Sequence, residues 1–163
     1  MSETMRVSVA TGKSVHIKKK FPLTSLSRLG KAAPGILRQV QDLVTSPGRR
    51  VKDGASPKEV MQEMGEKQSE AVETLIFADL AELDALHTFC AEITHRVEGF
   101  KDFEGEPFVW KDKTPEDRVD LYDCDIPNAT KISIVYFACL LKAGLDPEKL
   151  LSIGQELKEK SDG

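Results

Sequence analysis

The feature that most constrains the fold is a long stretch of apolar residues that recur every three or four positions. Ser56-Pro57-Lys58-Glu59 opens it with a capping Ser, a Pro at the first helical position and a Glu three residues after the cap. The spacing predicts one amphipathic helix from Pro57 to Val97, about 40 residues long and bent only near Gly65. Its main stripe is expected to be buried and consists of Leu75, Leu80, Leu83, Leu86, Cys90 and Ile93. Such a length is typical of a coiled-coil-like element or of a helix that packs on another chain.

The N-terminal part begins with two alternating segments around a glycine turn. Met5–Ala10 and Ser14–Lys20 flank Thr11-Gly12-Lys13, which predicts a β-hairpin. Its apolar face is formed by Val7, Val9, Val15 and Ile17. A helical pattern then runs from Leu23 to Val44 with an interruption at Pro34-Gly35, so two helices or one kinked helix are expected.

A basic loop is predicted next, from Ser46 to Ala55. This segment has the sequence SPGRRVKDGA, in which two glycines and a proline disfavour regular structure. Its cations Arg49, Arg50 and Lys52 are candidate partner-binding residues, since the loop is the best candidate for a mobile or partner-contacting segment.

The C-terminal part contains an aromatic segment and three shorter helices. Phe100–Trp110 is predicted to be a small hairpin that turns at Glu104-Gly105. The helix starts are Thr114-Pro115, Pro127-Asn128 and Asp146-Pro147-Glu148, and the last helix should reach about Lys160. The middle helix, which ends before Gly144, is apolar nearly all round and should form the buried centre.

These elements predict a mainly α fold, a helical domain with a long central amphipathic helix and one or two small β-hairpins. We expect a single domain over residues 1–163, with a basic hairpin at 5–20, a basic loop at 46–55 and a helical body at 56–160.

The aromatic segment is a second candidate for partner binding. Phe100, Phe103, Phe108 and Trp110 lie within eleven residues of a chain that is only 6% aromatic. A short hairpin is marginally stable alone, so these rings should either cover the helix Ala129–Ala143 or form an exposed anchor. Phe103, Phe108 and Trp110 are therefore candidate partner-binding residues.

Charge is distributed unevenly along the chain. Met1–Lys52 carries 11 Lys and Arg against 2 acidic residues, whereas the rest carries 12 against 25. This asymmetry indicates either contact between the two halves or two partner surfaces of different charge. No apolar run is long enough to span a membrane and no signal-peptide core is present, so we expect a cytoplasmic protein.

Motifs that would indicate catalysis or a bound ion are incomplete. Thr11-Gly12-Lys13-Ser14 has Val7 where a phosphate loop needs a glycine, and a strand follows it instead of a helix. His87, Cys90 and His95 point in different directions on one helix, so surface histidines are expected instead of a metal site. The acidic segment Glu116–Asp125 is expected to be a solvated face. We expect no catalytic residue, no metal and no cofactor, and nucleic-acid binding is disfavoured because aromatics do not interleave with the basic residues.

The order of elements resembles the small tail-assembly chaperones of long-tailed bacteriophages. The motifs that carry the resemblance are turns and helix starts. They are Thr11-Gly12-Lys13-Ser14-Val15-His16-Ile17, Phe21-Pro22-Leu23-Thr24-Ser25-Leu26, and Asp102–Trp110 followed by the acidic helix Glu116–Asp125. The resemblance implies a non-enzymatic factor that binds partner helices, such as those of a tape-measure protein, or a minor tail or baseplate component.

Two other functions stay open at this level. One is a small regulatory or anti-defence protein that blocks a host protein with its acidic C-terminal face. The other is an accessory protein that contacts nucleic acid through its basic N-terminal part. The oligomeric state is also open, and a homo-oligomer is compatible with the long apolar stripe.

Overall fold

The computed structural model describes residues 3–150 of the chain. The fold is mainly helical with one three-stranded antiparallel sheet, which confirms the predicted fold class. The strands are β1 (Thr4–Ala10), β2 (Lys13–Lys18) and β3 (Thr94–Glu98). The helices are α1 (Leu23–Ala32), α2 (Pro34–Lys52), α3 (Pro57–Ile76), α4 (Leu80–Ile93), α5 (Pro115–Asp125) and α6 (Asn128–Lys142), with a short 3-10 turn at Trp110–Asp112.

The predicted N-terminal hairpin is confirmed, and it carries a third strand that was not predicted. β2 is the central strand, with β1 on one side and β3 on the other. Val15 pairs with Val7 in β1 and with Val97 in β3, so the alternating apolar residues share one face of the sheet. This face is buried in the core.

The predicted basic loop at 46–55 is wrong, because α2 continues through it to Lys52. Pro47 lies inside the helix, where it removes one backbone hydrogen bond. Packing along α3 compensates for that loss. Gln39 donates to Thr74, Lys67 donates to Ser46, and Arg50 forms two hydrogen bonds with Glu63. The predicted interruption at Pro34-Gly35 is confirmed, and of the two alternatives the structure has two separate helices, α1 and α2.

The predicted single helix from Pro57 to Val97 is also wrong. The chain leaves the helix after Ile76 and begins α4 at Leu80, because Asp79 and Glu82 form a reciprocal capping box. In this box the Asp79 carboxylate accepts the Glu82 N–H, and the Glu82 carboxylate faces the Asp79 N–H. Of the predicted stripe, Leu75, Leu86, Cys90 and Ile93 are buried, Leu83 is half-buried and Leu80 is exposed.

The helix α4 also ends earlier than the predicted single helix, at Ile93. The Thr94 hydroxyl donates to the Cys90 carbonyl at 2.7 Å, and the backbone then becomes extended and pairs with β2. Because that single hydroxyl proton is already used, the Tyr122 hydroxyl donates to the Thr94 oxygen at 2.6 Å. A residue predicted to lie in a helix, Val97, is therefore buried as part of a strand.

The helices α5 and α6 begin where their caps and prolines predicted. Thr114 accepts the Asp117 N–H at the start of α5. The helix α6 packs against α2, α3 and α4, which places it at the centre of the helical part as predicted. The last predicted helix starts after Asp146, and its part beyond residue 150 lies outside the described residues.

The two oppositely charged halves of the chain contact each other. Arg28 pairs with Glu92 at 3.0 Å, Lys19 pairs with Asp146, and Arg50 pairs with Glu63.

None of the helices within the described residues is both long enough and apolar enough to span a lipid bilayer.

Candidate functional site

The aromatic segment forms a tight loop held by Asp102 rather than a two-stranded hairpin. One bridge, between Lys101 and Pro107, joins its two sides. The Asp102 carboxylate accepts the backbone N–H groups of Glu106 and Glu104 and pairs with Lys113 at 3.1 Å. The N–H group of Glu106, together with the Lys113 ammonium, lowers the pKa of Asp102 because both stabilise the charged carboxylate.

Most of the aromatic candidates lie inside this loop and not on the surface. Phe108 and Trp110 are buried, and Trp110 packs edge-on against Tyr122 in α5 with 6.4 Å between ring centroids. Arg118 stacks on Trp110 at 5.1 Å and donates to its backbone carbonyl. Phe103 is 87% exposed. Of the predicted aromatic partner-binding residues, only Phe103 has an exposed side chain.

A groove of about 440 Å³ lies between this loop and α5. We call it the aromatic–acidic groove, and its apolar part is formed by Phe103, Phe108 and Leu121. Its charged lining consists of Asp102, Glu104, Asp117, Asp120 and Asp125 with Lys101 and Lys113. The predicted acidic face of α5 is thus one wall of a groove, and the groove carries an excess of negative charge.

The predicted basic candidates lie in the last turns of α2. Arg50 is held by Glu63 through hydrogen bonds of 2.9 and 2.8 Å, and this carboxylate raises the pKa of Arg50. Arg49 donates to the Thr45 hydroxyl at 2.9 Å, and Lys52 is exposed. The basic and aromatic candidates therefore lie on different elements, because α2 packs on α1, α3 and α6 whereas the Trp110 turn packs on β3.

An exposed apolar corner, which was not predicted from the sequence, lies between α3 and α4. Ile76 is 68% exposed, Phe77 88% and Leu80 83%, and we call these three residues the α3–α4 corner. Helical periodicity assigned Leu80 to the buried stripe, which hid the corner. The motif Asp79-x-x-Glu82 was the local signal that could have located it, since it marks a helix start.

A second groove, of about 260 Å³, lies between α2, α3 and α6. It is lined mainly by apolar side chains, among them Leu43, Met61, Met64, Ile132 and Tyr136. Gln68 and Ser133 face each other across it at 3.5 Å.

A buried polar cluster replaces the expected surface histidine at position 87. His87 Nε2 lies 2.9 Å from the Nζ of Lys131, and both residues are buried. Because an ammonium group can only donate, Nε2 is the acceptor and the ring proton lies on Nδ1, 4.0 Å from Asp123. Burial, and then Lys131, lowers the pKa of His87. No local pattern marked this cluster, since Lys131 lies in a largely apolar helix.

The other two histidines and Cys90 are dispersed over the fold. His95 is exposed, whereas His16 is buried in β2, where burial and Arg96 lower its pKa. Burial raises the pKa of the Cys90 thiol to about 12, so this thiol stays protonated and unreactive. Within residues 3–150, no three His, Cys, Asp or Glu side chains come together in a way that would hold a metal ion.

Comparisons with protein-family models, with curated proteins and with solved structures give no match for this chain.

Proposed function

We propose that this chain is a non-enzymatic protein-binding factor of bacteriophage tail assembly, acting as a tail-assembly chaperone or as a minor tail or baseplate component. The observation that carries the protein-binding part is the α3–α4 corner. Single exposed apolar residues are common on protein surfaces, but three large ones within five positions are typical of a contact surface.

The construction of the corner supports this proposal. The Phe77 N–H donates to the Thr74 carbonyl at 3.2 Å, and the Asp79 cap begins α4 directly afterwards. The apolar side chains therefore lie on, or directly beside, a short connection that is hydrogen-bonded at both ends. Binding to such a surface costs little conformational entropy, because the backbone is already ordered.

The tail-assembly part of the proposal rests on the resemblance. The hairpin β1–β2 with its Gly12-Lys13 turn, followed by the start of α1 after Pro22, provides the elements in the order that the resemblance implies. On this proposal the protein acts in the host cytoplasm, and its partners are the tape-measure protein or other tail proteins.

Co-purification with a bacteriophage tape-measure protein tests the proposal. The tagged chain should recover that protein, and the double variant Phe77→Ser with Leu80→Ser should recover at least about tenfold less, since anchor residues dominate interface energy. Met61→Ser is the matched control, because Met61 is an exposed apolar residue outside the corner. Failure of the unmodified chain to recover any tail protein would overturn the tail-assembly function.

The aromatic–acidic groove favours a second candidate, a regulatory or anti-defence protein that blocks a basic surface of a host protein. Its carboxylates would complement such a surface, and Phe103 would provide an apolar contact. A host protein that co-purifies with the unmodified chain should then no longer co-purify with the Phe103→Ser variant. It should still co-purify with the double variant Phe77→Ser with Leu80→Ser. Nucleic-acid contact through the basic part receives less support, because Glu63 already neutralises Arg50.

A further inference from the structure

We infer that the α3–α4 corner binds a basic amphipathic segment of a partner protein, with apolar residues against the corner and Lys or Arg around them. This inference rests on the proposed protein-binding function and adds the chemistry of the partner. Its basis is the charge of the surface that surrounds the corner.

The sequence around the corner contains carboxylates but no nearby Lys or Arg. Between Lys67 and Arg96 the chain contains no Lys or Arg but six carboxylates. These are Glu70, Glu73, Asp79, Glu82, Asp84 and Glu92. Glu92 pairs with Arg28, and none of the other five forms an ion pair with another of the residues 3–150.

Helix geometry places some of these carboxylates beside the apolar side chains. Glu73 precedes Ile76 by three positions and Phe77 by four, so it lies on the same face of α3. Glu70 lies one further turn back on that face. On α4, Asp84 follows Leu80 by four positions. The corner is therefore an apolar centre with negative charge along both helices that lead to it.

This charge pattern selects among possible occupants. A second copy bound through the same corner would bring Glu70, Glu73 and Asp84 of both copies together, and like charges at an interface oppose association. A neutral apolar segment would leave the carboxylates without partners. A basic amphipathic helix satisfies both parts of the surface, since its apolar stripe covers the corner and its cations meet the acids.

Titration with a defined peptide tests the inference. The probe is a labelled helical peptide of about 18 residues, five turns, with Leu on one face and Lys on the other. Fluorescence anisotropy should show binding that weakens with added salt, because exposed charge pairs are screened. A matched peptide with Glu in place of Lys should bind at least about tenfold more weakly.

Three variants locate the binding site. Phe77→Ser with Leu80→Ser should weaken binding of the Lys peptide at least about tenfold, and so should Glu70→Lys with Glu73→Lys. The control is Glu104→Lys with Asp120→Lys, which makes the same change in net charge at the aromatic–acidic groove and should alter affinity less than about twofold. All six substituted side chains are exposed, so circular dichroism should show unchanged melting for each variant.

Several results would overturn the inference. They are equal binding of the Lys and Glu peptides, an equal loss with the groove variant, or corner-dependent dimers of the chain in sedimentation. The outcome is separable from that of the proposed function. If the peptide binds independently of the corner while the tape-measure protein is still recovered, only this inference is refuted. If the peptide binds through the corner but no tail protein is recovered, only the tail-assembly function is refuted.

Discussion

At the scale of single residues, the contact between Lys131 and His87 is the least expected feature of the core. Two basic side chains lie 2.9 Å apart between α4 and α6, and Asn128 accepts a further hydrogen bond from Lys131 at 3.2 Å. The arrangement is stable only while the imidazole is neutral, because a second proton would place two cations in contact away from water. Burial also lowers the pKa of Lys131, and the nearby Asp123 carboxylate opposes that change.

The pH dependence of stability follows from the lowered pKa of His87. Between the pKa of His87 in the folded state and the ordinary value of 6.5, the unfolded chain binds more protons than the folded protein. The contribution of His87 to the free energy of unfolding is therefore fully present above pH 6.5. It decreases as the pH falls below that value. Denaturant midpoints measured from about pH 7.5 to about pH 5.5 should fall more steeply for the unmodified protein than for His87→Gln.

The comparison with His87→Gln isolates this residue. Burial also lowers the pKa of His16, and its contribution has the same sign, but it is present in both proteins and cancels in the difference. Parallel pH profiles for the two proteins would contradict the assignment of a neutral His87 that accepts from Lys131.

At the scale of elements, the turn that follows β3 lies directly against the β1–β2 turn. Gly99 follows β3 with a φ of +85°, and a Cβ placed there would lie 1.9 Å from the carbonyl oxygen of Gly12 in the β1–β2 turn. The two glycines thus allow the end of β3 to approach the hairpin turn closely. Gly105 has a similar φ of +82° in the aromatic loop but nothing within 4 Å of the corresponding Cβ position.

Gly99 and Gly105 should therefore respond differently to substitution by alanine. Gly105→Ala should cost about 1 to 2 kcal/mol of stability, the conformational cost of a left-handed residue. Gly99→Ala adds a backbone collision to that cost and should lose about 3 to 5 kcal/mol. Chemical denaturation of both variants measures the difference, and equal losses would mean that the approach of Gly99 to Gly12 is not required.

At the scale of the whole molecule, the aromatic loop joins the sheet to the helices. Its Trp110 turn packs on β3, while the Trp110 ring contacts Tyr122 in α5, whose hydroxyl in turn donates to Thr94. Through these contacts the loop belongs to the same core as α4 and the sheet.

This arrangement predicts one cooperative unfolding transition seen by two probes. Trp110 is the only tryptophan of the chain and is buried, so its fluorescence reports on the loop, whereas far-ultraviolet circular dichroism reports on the helices. The two denaturation curves should coincide, as expected when local and global unfolding are the same event. A fluorescence transition at lower denaturant would show that the loop unfolds separately.

The sequence by itself determined the elements that are marked by local signals. Alternation around Gly12 specified the hairpin, Pro34 separated α1 from α2, and Thr114-Pro115 marked the start of α5. These signals act within a few residues, through backbone geometry and capping hydrogen bonds, so no distant contact is needed to interpret them.

Tertiary structure decided the features whose local sequence pattern is compatible with two different local structures. Thr94–Val97 continues a helical spacing, but pairing with β2 makes it a strand, because a third strand satisfies the backbone of an otherwise unpaired hairpin edge. Packing on α3 keeps Pro47 inside a helix, and the positions of α4 and α6 bury His87 against Lys131. The apolar residues of the α3–α4 corner belong to the same class, since only the arrangement of the helices leaves them facing water.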